Sequence, residues 1–80
     1  MTKEEAINEL SKLSGQHITL FFYVANAFGT DLYSYASGIF SFDDAEDEYI
    51  RLFVGDAMFF ANPNQIIRAD TGIISISVTA

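Results

Sequence analysis

The sequence predicts an α+β domain: an N-terminal helix followed by a bent antiparallel sheet of five to six strands, curled toward a small β-barrel. Three observations carry this expectation. Apolar residues recur at spacings of three and four up to Leu13, which is the period of a helix face. From Ile18 onward the spacing changes to alternation, which is the period of a strand. Clusters of glycine, asparagine, aspartate and proline then cut the rest of the chain into strand-length segments.

The helix is expected within residues 1–14. Thr2 is the N-cap candidate, and Glu5 completes a capping box three residues later. Ala6, Ile7, Leu10 and Leu13 form one apolar stripe. Gly15 is placed to end the helix in the left-handed region. About three turns of helix are marginal alone in water, so the stripe must dock on something.

The remaining residues, 17–79, are expected to form a β-barrel or meander. Ile18, Leu20, Phe22 and Val24 alternate with Thr19, Phe21, Tyr23 and Ala25, and both faces are largely apolar. Such a strand needs cover on both sides. The helix and the curl of the sheet, or a second subunit, are the available covers. Gly29-Thr30-Asp31 is a turn signal. Leu32 to Phe42 is the second strand, with Gly38 marking a bulge or bend inside it. A charged loop follows, Asp43 to Glu48. Tyr49 to Val54 is the third strand, with Ile50, Leu52 and Val54 on its inward face. Gly55-Asp56 is a hairpin turn into Ala57–Ala61. Asn62-Pro63-Asn64 stops that strand and favours a short helical turn. Ile66 to Ala69 and Ile73 to Val78 complete the set, joined by Asp70-Thr71-Gly72.

Composition narrows the function. Eighty residues make one domain, 1–80. A chain of that size buries roughly 60% of its unfolded surface. It contains no cysteine, so disulfides and thiolate metal sites are excluded as staples. The core must therefore come from apolar side chains, including eight Phe and four Tyr. Four basic residues face eleven acidic ones, and the net charge is −7. That balance repels nucleic-acid phosphates and anionic membranes, so neither is expected as a partner. It accommodates a basic protein partner. Met1 to Ser14 lacks an apolar leader run, and no stretch is long enough to span a bilayer, so a cytoplasmic location is the default expectation.

The segment Gly38-Ile39-Phe40-Ser41-Phe42-Asp43 is a glycine-bent strand ending in an acidic turn. Tyr49 to Val54 follows at a suitable distance, Asn62-Pro63-Asn64 precedes a last strand, and Ile66-Ile67-Arg68 is an apolar-apolar-basic step. In these features residues 1–70 resemble Sm-like proteins and other SH3-type barrels. The resemblance implies a small barrel and, as one functional class, an RNA-binding subunit. Asp43 to Glu48 occupies the loop that offers a base-binding Asn in that family, and Ala69 stands where it has a glycine. The correspondence is thus architectural, and no RNA-binding residue is carried across.

Candidate chemistry is sparse. Asp43, Asp44, Glu46, Asp47 and Glu48 place five carboxylates within six residues. Such a block serves as a solvated loop that keeps an apolar sheet soluble, or as a docking patch for a basic partner. Its spacing lacks the alternate ligands and central glycine of an EF-hand. His17 is the only histidine, and neither catalysis nor zinc binding follows from one histidine alone. Tyr23, Tyr33, Tyr35 and Tyr49 fall on strands with Phe21, Phe40 and Phe53. Most of these rings are expected in the core, and the surplus is expected at a subunit interface. Arg51 and Arg68 are expected to pair with neighbouring acids. No catalytic, cofactor or metal residue is assigned, and no enzyme is expected. The sequence points to a small acidic interaction module that self-associates, with Asp43, Asp44, Glu46, Asp47, Glu48, Tyr33 and Tyr35 as partner-binding candidates. An acidic decoy for a basic nucleic-acid-binding protein and an Sm-like RNA-binding subunit are the alternatives.

Overall fold

Thr2 and Glu5 open the first element as a reciprocal cap. The Glu5 backbone N–H donates to Thr2 Oγ1 at 3.2 Å, and the Thr2 N–H donates to Glu5 Oε1 at 3.4 Å. In the computed structural model, which describes residues 1–44 and 48–79, this cap begins helix α1, Lys3–Ser11. The regular helix stops three residues before the expected end. Leu13 instead bonds back to Leu10 at 3.0 Å, a tighter winding, and Gly15 then reverses the chain at φ +85°. Ala6, Leu10 and Leu13 are buried, as the stripe requires.

Six strands follow: β1 (His17–Asn26), β2 (Gly29–Asp43), β3 (Ile50–Val54), β4 (Ala57–Ala61), β5 (Ile66–Asp70) and β6 (Ile73–Thr79). They form one curled sheet in the order β4-β3-β2-β1-β6-β5, a half-barrel with α1 at its closed end. Every neighbouring pair is antiparallel except β1 and β6, which run parallel. The sheet is therefore mixed, where an all-antiparallel one was expected. Alternation reports which face a residue takes, not the direction of its neighbour. A parallel pair needs a long crossover, and here the whole run from β2 to β5 supplies it.

The crossover is possible because the curl brings the two sheet edges together. Edge strand β4 ends at Ala61 and edge strand β5 starts at Ile66, so four residues link opposite edges. Pro63–Gln65 makes a 3₁₀ turn there, capped by Asn62. Asn62 Oδ1 accepts from the Asn64 N–H at 3.0 Å, and the Asn62 N–H donates to Gln65 Oε1 at 3.1 Å. The core lies inside the curl and contains Leu10, Ile18, Leu20, Phe40, Ile50, Leu52, Ile66 and Ile74. Ile50, Leu52 and Val54 take the inward face of β3, as alternation indicates.

Strand β2 is shared between two partners. Its residues up to Ile39 pair with β1, and Phe40 to Asp43 pair with β3. The handover lies at Gly38. A Cβ there would stand 2.7 Å from Gly55 N and 2.8 Å from Gly55 Cα, inside the backbone of the β3–β4 turn. Gly55 in turn donates its N–H to the Ile39 carbonyl at 3.0 Å. Glycine is needed at position 38 for this close approach. Gly38→Ala is expected to destabilise the fold by about 1–3 kcal/mol through overpacking, read as a lowered urea midpoint with an unchanged slope.

Candidate interaction surface

The handover leaves the first part of β2 with a neighbour on one side only. Phe40 exchanges hydrogen bonds with Gly15 and Gln16, at 2.7 and 2.9 Å, so its backbone points toward β1. The Ile39 carbonyl points the other way, toward Gly55. By the alternation of an antiparallel ladder, Tyr35 also directs its N–H and C=O away from β1. No strand pairs with β2 on that side before Phe40 among the described residues. Strands β1 and β2 thus form an arm with an open edge.

The arm ends in a structured tip. Asn26 faces Gly29, and Ala27 and Phe28 make the two-residue connection. Asn26 Oδ1 accepts from the Phe28 N–H at 2.8 Å, an Asx turn that sets the loop. The turn falls two residues before the expected Gly29-Thr30-Asp31, and Gly29, at φ +131°, already opens β2. The Phe28 ring is 99% exposed. From Ile18 to Phe42 the only charged residue is Asp31, in a chain of net charge −7.

A register shift between Phe22 and Tyr23 inserts Tyr33 as an extra residue in β2. Tyr33 is 75% exposed and borders an apolar groove on the concave face. Phe22, Val24, Ser34, Phe59 and Val78 complete the lining, and the groove has a volume of about 370 Å³. Phe59 reaches it from β4, with its ring centroid 4.9 Å from that of Phe22. On the convex face Tyr35, 68% exposed, lies beside Phe21, with centroids 6.5 Å apart. Phe21, Tyr23 and Ala25 are half-buried. The second apolar face of β1 is therefore only partly covered within the chain.

The acidic candidates lie elsewhere. Asp43 ends β2, up to roughly 27 Å along the strand from Tyr35. It receives two hydrogen bonds from Arg51 Nε, at 2.8 and 3.1 Å, and one from Nη2 at 2.5 Å. Asp44 is 2.5 Å from Lys3 Nζ. Glu48 is exposed and borders a small cleft with Lys3, Asn62, Pro63 and Asn64. Glu46 and Asp47 lie outside the described residues. The structure thus separates the tyrosines from the acids and joins two of the acids to basic side chains. Arg68 likewise pairs with Asp70 at 2.6 Å. His17 is exposed at the start of β1. Among the described residues no cluster of three His, Asp or Glu side chains is arranged to hold a metal ion.

Phe22, Val24, Phe28, Ser34, Phe59 and Val78 were not singled out as site residues by the sequence. Phe28 carried a signal, because a large apolar ring between Ala27 and Gly29 in a turn has no core to enter. The groove residues carried none, since inward-facing Phe22 and Phe59 look like any other core positions.

No family model, curated protein or solved structure matches the chain. No helix among the described residues is long and apolar enough to cross a membrane.

The ion pairs set an acid dependence. Hydrogen bonding from Arg51 holds the Asp43 carboxyl below its usual range, and Arg68 does the same for Asp70. The unfolded chain then takes up protons first as pH falls, so these pairs stabilise the fold fully above the unfolded carboxylate range, and that contribution is lost progressively as pH falls on through the lowered folded-state values. The thermal midpoint of the wild type is expected to exceed that of Arg51→Gln by a constant margin above about pH 5, and this margin is expected to narrow progressively as pH falls below about 4. Parallel thermal scans of both proteins across that range check it.

Proposed function

We propose that this protein is a non-enzymatic interaction module that self-associates through the β1–β2 arm. One observation carries the proposal: the arm joins an open strand edge and exposed rings to a surface almost free of charge. Open edges are templates for pairing and are normally blunted by charge, proline or cover. Among the described residues, the Tyr33 bulge and Asp31 are the only such devices on the β2 edge. Phe28, Leu32, Tyr33 and Tyr35 are all more than half exposed on the same arm.

Charge favours the same surface. Two copies of net charge −7 repel each other over most approaches, and the arm is where that repulsion is weakest. Docking of the acidic segment on a basic partner has less support, because Asp43 and Asp44 already engage Arg51 and Lys3. An Sm-like RNA-binding role has less support still. Among the described residues no basic side chain lines the groove, and single-strand binding combines stacking rings with a basic track.

Light scattering from about 1 to about 100 μM at neutral pH is expected to show the mass rising above that of one chain. Association is expected to tighten as pH falls from 7 toward the isoelectric point near 4.2, because the copies lose their mutual repulsion. A constant single-chain mass over the whole range at both pH values would rule the proposal out.

A further inference from the structure

We infer that the groove receives the Phe28 ring of a second copy, and that the exchange is mutual. This rests on the self-association proposed above and assigns its contact. A cavity of roughly 150 Å³ suffices to hold a benzene ring. The groove, at about 370 Å³, has room for a phenyl side chain and part of the turn that carries it. Its walls offer Phe22, Val24, Phe59 and Val78 as apolar contacts, with no charged side chain among the lining residues. Phe28 is the most exposed large apolar residue described and makes no ring contact among the described residues. The Asx turn from Asn26 fixes the loop that presents it, so little freedom is lost on docking.

Ring and groove belong to the same arm. Phe28 lies four residues beyond Val24 and six before Ser34. Two arms laid antiparallel across a two-fold axis therefore bring each ring to the other's groove. An isologous arrangement of this kind closes at two copies. The −7 charge selects against other arrangements, because the arms can overlap while the acidic closed ends stay apart.

Two variants and their mixture test the exchange. Phe28→Asp removes the ring, and its full exposure makes the fold insensitive to the change. Ser34→Arg fills the groove from an exposed wall position. Sedimentation equilibrium is expected to show a wild-type dimer and a dissociation constant raised roughly 100-fold in each variant. Mixing the two variants restores one intact ring and one intact groove, so a heterodimer weaker than wild type is expected. A Phe28→Asp protein that dimerises like wild type overturns the inference and leaves self-association standing. Loss of association in Ser34→Arg alone overturns it too, by giving the groove another occupant. Failure of the mixture to associate overturns the seating of the ring. A wild-type monomer overturns both this inference and the self-association it rests on.

Discussion

The contact between the backbones of Gly38 and Gly55 is the constraint on which the rest of the structure depends. It lets the β3–β4 turn sit against β2, so that β2 leaves β1 and takes up β3. Without that handover β3 would have no place beside β2, and Ile50, Leu52 and Val54 would lose their cover. The curl that follows brings Ala61 near Ile66, which allows the short capped turn between the sheet edges. It also places Phe59 against Phe22 and so builds the back wall of the groove. The same handover leaves the arm without a neighbour on the outer side of β2. Core, groove and open edge are thus consequences of one glycine-permitted approach.

Charge is distributed along the same division. Asp43, Asp44, Arg51, Lys3, Arg68 and Asp70 form ion pairs outside the arm, where α1, β3 and β5 meet solvent. These pairs are exposed, and each stabilises little by itself. Their larger effect is to neutralise part of an acidic surface. The arm carries almost no charge and exposes rings instead. The self-association proposed above would therefore meet the least electrostatic repulsion at the arm.

Much of the fold was legible in the sequence because local chemistry and burial agree. The Thr2–Glu5 cap, the Ala6–Leu10–Leu13 stripe, Gly15 and the Asn62 turn all act within a few residues, and all appear where the sequence places them. The pairing of Arg51 and Arg68 with acids was legible for the same reason. The parallel β1–β6 pair was not, because strand direction depends on how the sheet closes rather than on alternation. The site was legible only in part. Tyr33 and Tyr35 were read as candidates from excess aromatic content, and they do lie on the arm. The groove was hidden, since Phe22 and Phe59 become its walls only through curvature that joins strands far apart in sequence. The acidic block was conspicuous as composition, but composition does not show that Asp43 and Asp44 are already held by Arg51 and Lys3.

Amide hydrogen exchange along β2, measured in dilute protein, tests the handover most directly. The amides of Ser34, Ala36 and Phe40, which point toward β1, are expected to be protected, while that of Tyr35 exchanges quickly. Beyond Gly38 the protecting neighbour is expected to change, so that the amide of Ser41, which points toward β3, is protected as well. Slow exchange at Tyr35 equal to that of Ser34 and Ala36 in the monomer would contradict the account, since it would require a second strand where the structure has an open edge.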